Sequence, residues 1–266
     1  MQRLPIEALV WSLPPQTLGH WAGALLINGL LIGVAQQAPL LTPRGWLHAA
    51  ILGTILWGCL GPTGWLAVVA YLALGSAVTR LGFRHKQERG LAEARGGRRG
   101  PENVWGSAAT GAALALAIPL VPQAWQPLLL VGFAASFSAK LADTFGSEIG
   151  KRWGRRTVLI TTLRPVPAGT EGAISLEGTA ASGAGALLMA AVMGLLGLLA
   201  GAGPLGPRLA LVTLVGWIAT LLESWIGAVL QPRLAWLTNE LVNGLQTAIA
   251  ACLAIGLMAL LQGAVT

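Results

Sequence analysis

The chain has 266 residues, of which 55% are hydrophobic and only 10% charged, with a formal net charge of +7. A soluble domain carries roughly 25% charged residues, so this composition excludes one and points to an integral membrane protein. Nucleic-acid binding is set aside as well: excess Lys and Arg on a membrane protein mark its cytoplasmic loops, with anionic lipids or substrates as takers of the remainder.

From the N-terminus, Met1–Glu7 lacks a basic stretch followed by a cleavable apolar core, so no signal peptide is expected. The apolar runs are unbroken over helix length and do not alternate, which argues against a β-barrel. The 36 glycines suit membrane helices that approach closely. The expectation is an all-α polytopic transmembrane bundle of about 7–8 helices, one integral membrane domain over residues 1–266. Apolar segments fall at 17–36, 45–60, 63–79, 104–120, 126–145, 179–200, 208–230 and 241–262. The second and third are shorter than the roughly 20 residues a span needs, and a shallow hairpin turning at Gly61-Pro62-Thr63-Gly64 is the alternative to two crossings. Cys59 and Cys252 lie inside apolar runs, against a disulfide framework or a zinc site.

Loop charge orients the bundle. Arg80, Arg84, Lys86, Arg89, Arg95, Arg98 and Arg99 fall in one predicted cytoplasmic loop, about 80–103. Lys151, Arg152, Arg155, Arg156 and Arg164 fall in a second, about 146–178. With Arg44 and Arg233, 14 of the 17 basic residues share one face, which the positive-inside rule makes cytoplasmic. Arg3 and Arg208 are placed on the other face, with both termini, and Lys140 lies within a helix.

Against this frame the polar residues stand out. Asp143, the chain's single aspartate, and Glu148 close the fifth segment; Glu171 and Glu177 lie in the loop after it; Glu223 lies within the seventh segment. A carboxylate inside a membrane helix costs several kcal/mol unless paired, hydrated or facing a polar cavity, so Glu223 implies a cavity or a partner such as Lys140 or Arg233. Lys140, Asp143 and Ser147 share one helical face, as do Glu223, Gly227 and Gln231, and Asn239, Asn243 and Gln246. Interhelical hydrogen bonding explains any one stripe; three beside the most basic loops indicate a site.

The segment 164–182 mixes prolines, glycines and hydroxyls with glutamates and leads into a helix N-terminus. Such a segment aims backbone N–H groups and hydroxyls at an anion, although Gly/Ser/Thr-rich turns are common. Gly169, Thr170, Gly172, Ser175, Glu177, Gly178 and Thr179 are its candidates. No Walker-type phosphate loop is present, and none of His20, His48 and His85 is placed as a base. Carboxylates for a divalent cation, cations for phosphates and a glycine-rich cradle are the parts of a phosphoryl-transfer site, which works chiefly by positioning and charge neutralisation. Mg²⁺ prefers one or two carboxylates with phosphate oxygens, a role for Asp143 and Glu148 with Glu223.

The stretches Leu-Ala-Asp-Thr-Phe-Gly-Ser-Glu-Ile-Gly (141–150), Leu-Ile-Thr-Thr-Leu-Arg-Pro-Val-Pro-Ala-Gly-Thr-Glu-Gly-Ala-Ile-Ser-Leu-Glu-Gly-Thr (159–179) and Leu-Thr-Asn-Glu-Leu-Val-Asn (237–243) resemble the membrane phytyl-phosphate kinases of tocopherol salvage. The basic stretches 79–86 and 95–99 look like that family's basic loop. More distantly, the family is similar in fold to the CTP-dependent polyprenol and dolichol kinases. The resemblance runs through most of the chain. It implies transfer of the γ-phosphoryl group of a nucleoside triphosphate, CTP, to a prenyl monophosphate such as phytyl phosphate, giving the diphosphate with Mg²⁺ as cofactor. The site would face the cytoplasm of a bacterial inner membrane or a thylakoid-type membrane. Where the family's seventh-helix motif usually reads Asp-Ser, this chain has Glu223-Ser224, which keeps the charge but lengthens its reach.

This chemistry suits the residues. A phosphate monoester has a second pKa near 6, so such an acceptor needs no general base at neutral pH. It needs cations, for which Lys140, Lys151, Arg152, Arg84, Lys86 and Arg98 are the candidates, although each is equally accounted for as an ordinary positive-inside charge. Asp143, Glu148 and Lys140 are the expected catalytic residues, and Ser147, Asn239 and Asn243 join the phosphate-binding set. The prenyl tail would stay in the bilayer, each buried methylene gaining about 0.8 kcal/mol. The small-residue faces 183–186 and 194–201 are candidates for a lateral groove, although tight helix packing is their commoner use. A homo-oligomer is compatible with the sequence. The alternatives are a prenyl-alcohol kinase, in which Asp143 would act as base, a CTP-dependent lipid-phosphate cytidylyltransferase, and a transporter, for which no internal repeat is found.

Overall fold

The computed structural model describes residues 14, 16–201 and 204–263. The expectations for Met1–Glu7 and Arg3 lie outside the described residues. Among these residues eight α-helices and one short ribbon follow one another: α1 (Leu18–Ala35), α2 (Pro43–Arg80), α3 (Phe83–Glu88), α4 (Pro101–Ala117), α5 (Gln126–Trp153), β1 (Thr157–Leu159), β2 (Ala173–Ser175), α6 (Leu176–Leu195), α7 (Leu205–Val229) and α8 (Asn239–Gly263). Seven of the helices are long and apolar enough to cross a membrane. The all-α transmembrane bundle expected from composition is the observed architecture.

Local chemistry sets the helix starts. Thr42 accepts from the Gly45 N–H at 3.0 Å and Pro43 opens α2, where its missing N–H is no loss. Pro101 opens α4 in the same way, with Asn103 accepting from the Gly100 N–H at 2.9 Å. Ser175 caps α6 by accepting from the Gly178 N–H at 3.1 Å.

The second and third predicted segments are one element folded back on itself. Gly61 has φ +66° and ψ −163°, a conformation essentially confined to glycine, and Pro62 follows without an N–H to continue the ladder. The two arms return to one level: Gly45 and Gly75 both border Arg99, and the Arg80 guanidinium donates to the Pro39 carbonyl at 3.1 Å. Each arm has some 18 residues, about 27 Å at helical rise.

Helix α5 is the axis of the bundle, packed by α2, α4, α6, α7 and α8. Phe133, Phe137, Ala139 and Leu141 on it are fully buried. It runs to Trp153, so residues 146–153, expected in a loop, are helical. The polar stripe ending in Ser147 and Lys151 extends the helix into the interface; only Gly154 stops it. The rest of that loop holds the antiparallel ribbon, Thr157 opposite Ser175, and the 80–103 loop contains α3 and the first turn of α4.

The ends of all these helices sort by side. Leu40 and Thr42 bond to Arg99, Lys151 reaches Glu93, Asn103 reaches Glu240, and Gly172 packs on Ala228. The C-terminal ends of α1, α5 and α7, the N-terminal ends of α4, α6 and α8, and both ends of α2 therefore share one side with the two basic loops.

Candidate active site

A polar cavity of about 340 Å³ opens at this basic side between α4, α5, α6, α7, α8 and the loop around the ribbon. Helix α5 supplies its axis. Lys140, Asp143, Thr144, Ser147 and Lys151 line it along one face of the helix. The Lys140 ammonium lies 2.5 Å from an Asp143 oxygen, with the lysine buried and the aspartate 18% exposed. A buried ammonium requires such a partner, and Asp143 also lines the cavity.

Helices α7 and α8 are keyed to α5 at the same height. Thr220 and the Gln246 amide both donate to the Ala139 carbonyl, at 3.3 and 3.0 Å, and Gln246 also donates to Thr220 at 3.1 Å. This fixes Glu223, one turn beyond Thr220, and Asn243, one turn before Gln246, as walls of the cavity. Asn243 Oδ1 is buried without a hydrogen-bond partner there. A buried polar atom left unmatched costs about 1–3 kcal/mol, which a ligand or ordered water in the cavity would recover.

The loop between the strands forms the lid. Gly169 (φ +86°) and Gly172 (φ +75°) turn it, closed by Thr170, whose hydroxyl donates to Pro167 O at 2.8 Å. Any side chain at Gly172 would collide with the Ser224 carbonyl on α7, and one at Gly178 with the Gly146 carbonyl on α5. These glycines bring the backbone against the helices. Glu171 hangs at the mouth; partial desolvation raises its pKa, Lys151 opposes this and Asp143 adds to it. On the other rim, Glu93 is 3.2 Å from Lys151, whose charge overrides desolvation and holds Glu93 below the usual carboxylate range.

Most of the residues expected from sequence line this cavity: Lys140, Asp143, Ser147, Glu148, Lys151, Arg98, Gly169, Thr170, Gly172, Ser175, Gly178, Thr179, Glu223, Asn239 and Asn243. Arg84, Lys86, Arg152 and Glu177 do not. Lys86 is fully buried, donates to the Thr79 carbonyl at 2.8 Å and pairs with Glu148 Oε2. Arg152 lies across Gly82 and over the Trp153 ring, 5.1 Å from its centroid. Glu177 turns outward and accepts from the Arg155 N–H at 3.4 Å. Arg84 is exposed. Glu148 is thus engaged by Lys86, with Lys151 3.9 Å from its other oxygen. Among the described residues, no group of three His, Cys, Asp or Glu side chains is gathered to hold a metal ion unaided.

Sequence reasoning missed Tyr71, Arg99 and Ser107. The Tyr71 hydroxyl accepts from Arg99 Nη1 at 2.7 Å and donates to Ser107 Oγ at 3.1 Å on the cavity wall. The available signal was that Tyr71 is the chain's only tyrosine, set in an apolar run. The small-residue faces proposed for a lateral groove instead serve packing: Gly185 meets Phe145 and Leu141, Gly183 meets Trp217, and Gly194 meets Leu209.

Comparison with known proteins places this architecture. The sequence profile of the integral membrane protein family DUF92 matches residues 26–251. The chain belongs to the DUF92 family. The DUF92 chain is 51% identical over 244 residues to membrane protein sll0875 of Synechocystis sp., covering 91% of this chain and 93% of that one. It is 40% identical over 242 residues to the chloroplastic protein VTE6 of Arabidopsis thaliana, covering 88% and 71%. Membrane protein MJ0933 of Methanocaldococcus jannaschii is 29% identical over 242 residues, covering 90% and 95%. No solved structure matches. All the cavity residues fall within the span shared by the family.

Proposed function

We propose that this DUF92 chain is a membrane prenyl-phosphate kinase, which transfers the γ-phosphoryl group of CTP to phytyl phosphate at the cytoplasmic face. The observation that carries this reading is a cavity at the basic end of a membrane bundle, walled by carboxylates and cations and bordered by the glycine-turned loop 168–175. The similarity to the phytyl-phosphate kinases and the 40% identity to VTE6 support the same reading.

In the proposed reaction a phosphate oxygen of the acceptor attacks the γ-phosphorus. The bond from that phosphorus to the β–γ bridging oxygen breaks, and CDP leaves with the electron pair. No proton need be removed, because the acceptor is already largely dianionic at neutral pH. Arg98, Arg99, Lys140 and Lys151 offset the charge of donor and acceptor, and the Gly169–Gly172 turn covers the donor phosphates. Asp143, Glu171 and Glu223 line the cavity without being gathered into a metal site of their own, and would offer oxygen ligands to Mg²⁺ only together with phosphate oxygens of the nucleotide. Bound there, the ion would neutralise charge on the β- and γ-phosphates. Glu148, engaged by Lys86, is a positioning residue in this scheme.

The acceptor is read as a phosphate on the similarity to the phytyl-phosphate kinases, with which a cavity rich in cations agrees. The nucleotide product tests the reaction type. A kinase releases CDP, whereas a cytidylyltransferase releases pyrophosphate and leaves CMP on the lipid; release of pyrophosphate would replace this reading.

A further inference from the structure

Behind the polar cavity lies a second, apolar one of about 190 Å³ between α1, both arms of α2 and α4. Its walls are Ile32 and Ala35 of α1, Ala49 and Leu52 of the first arm of α2, Val68 and Leu72 of the second, and Ala108 of α4. The two cavities meet: Tyr71, Arg99, Asn103 and Ser107 line both. The far end is closed by Asn28, which is fully satisfied. It donates to the Ala50 carbonyl at 2.6 Å and to Thr54 Oγ1 at 3.1 Å, and accepts from Trp65 Nε1 at 2.8 Å. From Tyr71 to Trp65 the second arm rises about 9 Å. Two wall residues, Leu31 and Val69, are 39% and 36% exposed, so the slot also opens sideways on the lipid-facing surface.

An apolar slot that opens to the bilayer at its side and to a cation-lined cavity at its end matches one ligand chemistry, a hydrocarbon chain bearing an anionic head. Arg99 stands at the junction. It gives one donor to Tyr71 and stacks on its ring, 5.2 Å from the centroid, and its guanidinium has donors beyond that one. We propose that this slot holds the phosphate-proximal part of the acceptor's isoprenoid tail, entering between α1 and α2, with Arg99 receiving the head group. The proposal rests on the prenyl-phosphate reading above and places the tail away from the small-residue faces of α6.

The test uses the full chain in detergent with a twenty-carbon prenyl phosphate carrying a photoreactive diazirine in its first isoprene unit. Cross-linked peptides should map to α1 and to the arms of α2; label confined to α6 and α7 would overturn the slot. In parallel, Val68→Phe narrows the slot. It should lower kcat/KM for the twenty-carbon acceptor about 10-fold or more while leaving KM for CTP near that of the parent. Ala49→Leu on the facing wall is the second variant should the first fail to fold, and an unchanged kcat/KM in a folded variant would also overturn the slot. The two readings fail separately. Label in α1 and α2 without phosphoryl transfer to any acceptor would uphold the slot and remove the kinase. Transfer with label elsewhere would do the reverse.

Discussion

Lys140 and Asp143 form the pair on which the polar cavity is built. Asp143→Asn keeps the shape but removes the charge that holds the ammonium and faces the donor phosphates. Turnover should fall about 10²–10³-fold, the scale of losing one electrostatic partner of a transition state, while the protein still folds and inserts, with an unfolding temperature lowered because the buried Lys140 ammonium loses its charged partner. A variant with full turnover would remove Asp143 from the site. The second pair, Lys86 with Glu148, is deeper, and its role is separable. Lys86→Met leaves Glu148 buried without its partner and should cost about 3–5 kcal/mol, read as a lowered unfolding temperature. Adding Glu148→Leu should restore most of that stability. If the doubly substituted protein is stable and active, Glu148 serves the fold alone. The aspartate and the glutamate were both conspicuous in the sequence as charges ending an apolar run. That Lys86 would reach across 62 positions to claim one of them was not, because a lysine in a basic loop looks like any other positive-inside charge.

Among the elements, α2 shows where reading a chain locally falls short. Its two apolar stretches, each slightly short for a crossing, and the Gly61-Pro62 break between them were plain in the sequence. The direction taken at that break was not, since it depends on Arg99 bringing Gly45 and Gly75 to one level. A Cβ at Gly61 would meet nothing within 4 Å, so Gly61→Ala isolates the backbone term. It should destabilise the protein by about 1–3 kcal/mol, measured by thermal unfolding, with the folded remainder still active. A neutral substitution would mean the chain can turn here in an ordinary conformation. The same hairpin delivers Tyr71 to the junction between the cavities, which explains why that residue escaped notice. Its sequence neighbours are all apolar, and only the fold puts it beside Arg99 and Ser107.

At the scale of the whole molecule, the class, the spans and the shared side of the basic loops were legible because the cost of placing charge in hydrocarbon is large and works residue by residue. Which of those basic residues face the cavity was hidden, since Arg98 lines it while Arg84 and Lys86, in the same predicted loop, do not. The orientation is open to direct measurement. With Cys59→Ser and Cys252→Ser as background, Arg89→Cys should resist a membrane-impermeant thiol reagent applied to intact cells, and Gln123→Cys at the opposite side should react. The reverse pattern would place the cavity on the outer face and starve it of nucleotide. The central claim is best tested on the purified protein in detergent with Mg²⁺ and γ-labelled CTP, offering phytol and phytyl phosphate separately. The account predicts label in a prenyl diphosphate, and only when the monophosphate is supplied. Label on the free alcohol, or none on either acceptor, would contradict it.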